Sequence, residues 1–252
     1  VILAFIIQWI AFLPAYIFQT EKFYDLTGSI TYLSVIWYSL TSSSNYFANL
    51  NVANIIIVLL ITLWAVRLGS FLFMRIHKDG EDKRFRTIKP SATQFFMTWT
   101  LQGLWVSLCS MCALTAISSD SGIVINAPFY LGLGLFIFGF VTEVIADKQK
   151  TAFRSIPENR DKFITTGLWA KSRHPNFFGE IVLWTGIAVM SFSSLTGLQY
   201  LTLISPVFTY LLLVYVSGVR MLEAQADKKW GDNEEYIKYK TETPVLMINY
   251  KM

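Results

Sequence analysis

Charge is scarce in this 252-residue chain: Asp, Glu, Lys and Arg make up 15% of it, against 54% apolar residues. A water-facing surface needs more polarity than that, so a soluble globular domain is excluded and an integral membrane protein is expected. Cysteine is almost absent. Cys109 and Cys112 both lie in an apolar run, which excludes a secreted disulfide framework. Histidine is limited to His77 and His174, both in polar connections, so the cysteine pair lacks further zinc ligands and reads as core; no metal is expected. There is no GxGxxG or P-loop phosphate motif, no Gly-x-Ser-x-Gly elbow and no HExxH helix. Those absences count against nucleophilic and metal-dependent hydrolysis, and leave chemistry borrowed from a cosubstrate, or transport. No basic stretch precedes the apolar start at Val1, so no cleavable signal is expected.

What is abundant is long hydrophobic sequence. A helix needs about 20 apolar residues to cross roughly 30 Å of hydrocarbon. Runs at 1–18, 27–40, 52–76, 93–118, 127–146, 177–192 and 199–218 are the candidate spans, the second and sixth being short. Lipid demands that backbone amides pair internally, and the alternation of a membrane barrel is missing, so the expected fold class is all-α, with seven transmembrane helices in a single membrane domain. Residues 1–146 would carry helices one to five and a substrate cavity, and residues 147–252 a polar loop, helices six and seven and a cofactor site.

The 21 Lys and Arg outnumber the 17 Asp and Glu. Lysine and arginine cluster between the third and fourth spans, between the fifth and sixth, and in the tail, whereas residues 41–51, 119–126 and 193–198 contain none. Seven crossings put every basic connection on one side, with the N-terminus outside and the C-terminus cytoplasmic. The basic excess then faces anionic membrane lipids, and no nucleic-acid partner is expected.

Ionisable groups within apolar segments cost about 2.5–3.5 kcal/mol on insertion scales, so each is a candidate for function. Arg67, Glu143, Glu180 and Glu223 qualify, although Glu143 and Glu180 lie near enough to helix ends to reach the interface. Asp25, followed by Thr27 and Ser29, reads first as a helix N-cap. Gln102 is a polar group in mid-helix, suited to bonding a neighbouring helix or a ligand.

The densest polar stretch is Gly167-Leu168-Trp169-Ala170-Lys171-Ser172-Arg173-His174-Pro175-Asn176-Phe177-Phe178-Gly179-Glu180. Pro175 suits the first turn of a helix, and Arg173 and His174 beside that helix start, with free backbone N–H groups, suit a phosphate or carboxylate. Asp147 and Arg154 border the same loop. Downstream, Glu223 and Asp227 share a helical face ahead of Tyr236 and Tyr239 on an expected amphipathic tail helix. Together these describe a polar pocket capped by aromatics, fitted to a large ligand with phosphates and a planar base.

These residues resemble a family. Arg173-His174-Pro175-Asn176-Phe177-Phe178-Gly179-Glu180, Asp147 with Arg154, Leu101-Gln102-Gly103, the Glu81-Asp82-Lys83-Arg84-Phe85 loop and Trp64 with Arg67 are similar, in the same order, to the steroid 5-alpha-reductase superfamily and its bacterial members. The resemblance implies an NADPH-dependent oxidoreductase of a bacterial inner membrane, reducing the carbon–carbon double bond of a 3-oxo-Δ4 steroid or similar apolar enone that enters from lipid, and acting as a monomer. It implies that Asn176 and Glu180 hold the nicotinamide, that Asp147 and Arg154 serve the ribose and phosphates, and that Arg173, His174, Glu223, Asp227, Tyr236 and Tyr239 supply further cofactor contacts. Asp25, Trp64, Arg67 and Gln102 would line the substrate, with Asp25, Tyr24 and Trp64 nearest the ketone. One departure matters: where animal members have a ketone-polarising tyrosine, this chain has Trp64, whose indole donates a hydrogen bond but does not give up its proton.

Arg-His-Pro with a Glu and Tyr tail also resembles membrane methyltransferases of phospholipids and prenylated cysteines, which implies S-adenosylmethionine as the rival cosubstrate. A non-catalytic lipid-binding or transport protein is the reading of another class, against which stands the lack of paired, interrupted helices in two similar halves.

Overall fold

The computed structural model describes residues 1–42, 51–119 and 122–246; most of the uncharged 41–51 connection, and Lys251 in the tail, lie outside the described residues. Its regular structure is helical throughout the described residues: α1 (Ile2–Ile17), α2 (Tyr24–Thr41), α3 (Val52–Asp79), α4 (Ala92–Ile117), α5 (Ala127–Ser155), α6 (Pro175–Ser191), α7 (Ile204–Leu211), α8 (Val219–Trp230) and α9 (Glu234–Glu242), with short 3-10 turns between. Five helical stretches are long and apolar enough to cross a membrane: α3, α4, α5, the run from Pro175 to Ser194 and the run from Gly197 to Trp230. That is the character of a multi-pass membrane protein. The 16-residue α1 is apolar but shorter, and α2, rich in Ser, Thr and Tyr, does not reach the same apolarity.

Two compact units make up the chain. The first comprises Val1–Asn126 and Ser191–Ser205. Here α2 packs on α1, α3 and α4, and α1 packs on α4. Apolar filling is heavily aromatic: Phe85, Phe95 and Trp99 are buried with Ala15, and Phe12, Tyr16, Phe23 and Tyr24 close over them. Polar bolts supplement the packing. Gln8 Nε2 donates to Thr31 Oγ1 at 2.8 Å between α1 and α2. Asn51 caps α3 by accepting from Asn54 N, and the buried Asn54 side chain reaches Ile117 O and Ile123 N. Glu21, buried in the α1–α2 turn, accepts the backbone N–H of Asp82 at 2.9 Å and pairs with Lys89, so the 80–91 connection is fastened to that turn.

Asp25 is not the N-cap the sequence suggested. Phe23 occupies that position without a side-chain cap bond, and Asp25 lies inside the first turn of α2. A carboxylate there still suits the positive end of the helix dipole.

The second unit comprises Ala127–Met190 and Pro206–Met252. Its α5 and α6 run antiparallel along a glycine seam. A Cβ placed on Gly139 would fall 2.5 Å from Gly179 O, and one on Gly132 would fall 2.5 Å from Gly186 O. Backbone therefore meets backbone, the close approach small residues permit between apolar helices. The α5 helix continues past Ala146 to Ser155, so Asp147 and Arg154 are helical rather than loop residues. The last apolar stretch is irregular, changing from 3-10 (Gly197–Leu203) to α7 to a π segment (Leu212–Val216). Such widened turns gather at functional sites in many proteins. At its end Gly218 lies against Phe177, whose ring carbon Cε2 would be 2.9 Å from any Cβ there.

Candidate functional site

The second unit gathers most of the polar residues singled out in the sequence. The seam sets the register. Four residues on from Gly139, Glu143 is 2% exposed and faces the start of α6, where a Cβ on Gly179 would meet its Cβ at 3.1 Å; one turn further, Asp147 is 6% exposed. Glu143 therefore does not reach out to an interface, as its place near a helix end suggested, and Glu180 is likewise buried, at 9%.

The α5–α6 connection and the tail fold onto each other. Glu223, on α8, accepts from His174 Nε2 at 2.7 Å and pairs with Arg173 Nη1 at 3.3 Å, one oxygen for each. Arg173 Nη1 also donates to Lys240 O at 2.9 Å, at the end of α9. Asp227 accepts from Tyr236 OH at 3.0 Å and from Lys240 Nζ. Tyr239 OH donates to Trp169 O at 2.6 Å, and Trp169 in turn donates its indole N–H to Ala146 O at 3.0 Å while Lys150 lies 4.6 Å over its ring. Phe163 is a hub against which Trp230, Tyr236 and Tyr239 all pack. The His174 ring stacks on Phe177 at 5.7 Å.

One expectation is corrected here. The backbone N–H groups before α6 are not open to an anion: Arg173 N donates to Pro244 O at 2.9 Å and His174 N to Val245 O at 3.0 Å, so the chain's own tail occupies them. Pro175 has no N–H, which leaves the first turn of α6, at Asn176 and Phe177, as the remaining donors. The Asn176 side chain itself is half-buried.

Electrostatics follow the same geometry. Burial holds the His174 imidazole below the ordinary histidine range; the Glu223 carboxylate opposes this, and the cationic Lys150 and Arg173 add to it. Burial pushes the Tyr236 and Tyr239 hydroxyls up, reinforced at Tyr236 by the hydrogen bond to Asp227. The ring is neutral near pH 7 and both phenols keep their protons.

The substrate residues suggested by sequence lie in the first unit. Tyr24 donates its hydroxyl proton to Thr98 O at 3.0 Å, so that proton already has a structural use. Asp25 is half-buried within electrostatic reach of Arg84, which is forked onto Asp82. Trp64 is 3% exposed, edge-on to Tyr32 at 5.0 Å. The Arg67 guanidinium lies 5.3 Å over Phe71. Gln102 is buried against Gly28, where any Cβ would come 2.7 Å from its Nε2.

Sequence reasoning missed Glu21, which reads as an ordinary connection charge, and Phe163, whose aromatic partners lie 67 or more positions away.

Comparison with known proteins gives the family. Residues 11–243 match a family described as a protein of unknown function, DUF1295. The chain belongs to that DUF1295 family. It is 33% identical over 116 residues, 40% of this chain and 41% of the relative, to a protein named "Probable O-methyltransferase ustE" from Ustilaginoidea virens. It is 28% identical over 156 residues, 51% of this chain and 45% of the relative, to an uncharacterized protein of Schizosaccharomyces pombe. The matches thus span less than half the length of either relative. No solved structure matches the chain.

Proposed function

We propose that this DUF1295 chain is a multi-pass membrane enzyme that takes a nucleotide cosubstrate at the α6 start, and that it is an NADPH-dependent reductase of an apolar enone such as a 3-oxo-Δ4 steroid. The observation that carries the reading is the convergence of the 156–174 connection with α8 and α9 on Glu223, which makes one polar cluster at the start of α6, the helix that carries Asn176 and Glu180. Its donor set suits a dinucleotide: Lys150, Arg154 and Lys171 for the phosphates, and Arg173, His174 and Asn176 at the α6 start for a polar head group.

When bound, NADPH would supply the hydride. The chain's own share is positioning and charge. Asn176 and Glu180, with Arg173 and His174, would hold the nicotinamide, and Asp147, Arg154, Asp227, Tyr236 and Tyr239 the rest. Asp25, with Arg67 and Gln102, would present the donor that steadies an enone oxygen; by analogy with oxyanion holes one such donor is worth about 2.7–4 kcal/mol. Because Tyr24 is engaged with Thr98 and Trp64 keeps its proton, Asp25 is the better candidate for that role. A topology of seven crossings with the N-terminus outside, in a bacterial inner membrane, accompanies the proposal, as does a monomer in contact with membrane lipids.

NADPH oxidation by purified protein with progesterone or testosterone tests this. Turnover is expected; absence of both turnover and NADPH affinity would refute it.

The relative named an O-methyltransferase favours a second reading, S-adenosylmethionine-dependent methylation of a membrane lipid or prenylated thiol. A cosubstrate that binds only the folded chain raises its melting temperature, so comparing NADPH with S-adenosylmethionine separates the two.

A further inference from the structure

The proton on His174 is placed by its neighbour. At 2.7 Å the Glu223 carboxylate can only accept, so Nε2 must carry the hydrogen. In a neutral ring Nδ1 is then a bare lone pair, and it is buried with no hydrogen-bond partner among the described residues. Arg173 is left in the complementary state. Its Nη1 serves Glu223 and Lys240 O, while its Nε–H, a donor, is buried and likewise unmet. The backbone N–H groups of both residues are spent on Pro244 and Val245. Two adjacent side chains, tied to the two oxygens of one carboxylate, thus leave over one acceptor and one donor. Buried polar atoms without partners are few in folded proteins and call for an explanation.

We infer that Arg173 and His174 read a ligand head group that offers one hydrogen-bond donor beside one acceptor, a primary carboxamide or the zwitterionic end of an amino acid, and not a phosphate. A phosphate oxygen would face the Nδ1 lone pair, acceptor against acceptor, whereas an N–H of the head meets it and the neighbouring oxygen takes the Arg173 Nε–H. Glu223 is then a positioning residue: it fixes the tautomer and is not itself the contact. The inference rests on the proposal that this cluster holds a cosubstrate, and it spans both readings, since NADPH carries a carboxamide and S-adenosylmethionine an amino acid.

The test is calorimetric titration of the full chain in nanodiscs with two pairs of probes. NADPH is set against its 3-acetylpyridine analogue, which keeps every phosphate and lacks the amino donor; S-adenosylhomocysteine is set against 5′-methylthioadenosine, which lacks the amino acid. In the pair that binds, the intact head is expected to bind at least tenfold more tightly. His174→Gln keeps an N–H toward Glu223 and removes the Nδ1 acceptor. It should lose that tenfold for the intact ligand and bind the altered ligand as the unsubstituted chain does. Equal affinity within the pair, or an equal loss for both members in His174→Gln, overturns the inference alone. Failure of all four probes to bind the unsubstituted chain overturns the cosubstrate reading, and the inference with it.

Discussion

Gly139 on α5 and Gly179 on α6 oppose each other backbone to backbone, with room for hydrogen and nothing larger: a methyl on Gly139 would lie 2.5 Å from Gly179 O and 2.6 Å from Leu183 N. Neither obstacle is a flexible side-chain end, so relief requires the helices to part. Gly139→Ala is expected to destabilise the chain by about 1–3 kcal/mol, the usual cost of overpacking. Gly134, on the same helix, has open space at its Cβ position, and Gly134→Ala should stabilise, by up to about 1 kcal/mol of helix propensity. Melting temperatures of the two variants moving in the same direction would contradict the seam.

The helices the seam joins were legible in the amino-acid sequence, whereas the seam itself was not. Helices appear in every segment assigned as a span, because an apolar run of that length has few other ways to pair its amides. Crossing a membrane is a stronger demand, met by length and apolarity at α3, α4, α5 and the two later runs but not by α1 or α2. The site was legible as a set of residue types, Arg173, His174, Glu223, Asp227 and the tyrosines, because charged and aromatic residues stand out in a greasy chain. Their pairing was not. That Glu223 divides its oxygens between Arg173 and His174, or that Pro244 and Val245 cover the N–H groups before α6, depends on contacts between residues 49 and about 70 positions apart, which leave no local pattern.

Glu21 provides a prediction from outside the site. Its side chain is 3% exposed, and it holds both the Asp82 N–H and Lys89, so it clamps the 80–91 connection. Removing one partner of a buried ion pair costs about 3–5 kcal/mol, because the other charge is stranded. Glu21→Ala should lose most of that, whereas Glu21→Gln, which keeps an acceptor for the amide, should lose clearly less. Limited proteolysis is expected to cut the connection first in the alanine variant. Equal melting temperatures for the two variants would exclude the clamp.

His174 gives a pH dependence whose sign is fixed by its burial. In the unfolded chain the ring takes a proton near its ordinary value of about 6.5, and in the folded chain only at lower pH. Between those two values the unfolded state binds more protons, so stability is full above about pH 6.5 and falls as the pH drops toward the folded value. The charged groups around the ring are Glu223, Arg173 and Lys150, with Lys240 behind the carboxylate. Melting temperature should fall more steeply between pH 7 and pH 5.5 in the unsubstituted chain than in His174→Gln. Parallel curves would show that the ring titrates equally in both states.

Asp227 and Glu223 stand one helical turn apart and should behave differently when neutralised. Asp227 meets Tyr236 and Lys240 in the open, with its side chain 45% exposed, and exposed pairs of this kind contribute about 0–1 kcal/mol. Glu223 is 19% exposed and serves Arg173, His174 and, at 4.0 Å, Lys240. Glu223→Gln therefore strands more than one cation and should lower the melting temperature by several degrees, while Asp227→Asn should leave it nearly unchanged. That contrast makes Asp227 the cleaner probe of ligand contact: a loss of NADPH or S-adenosylmethionine affinity in Asp227→Asn has no stability change to hide behind. Unchanged affinity would remove Asp227 from the site and leave it as the anchor of Tyr236 and Lys240.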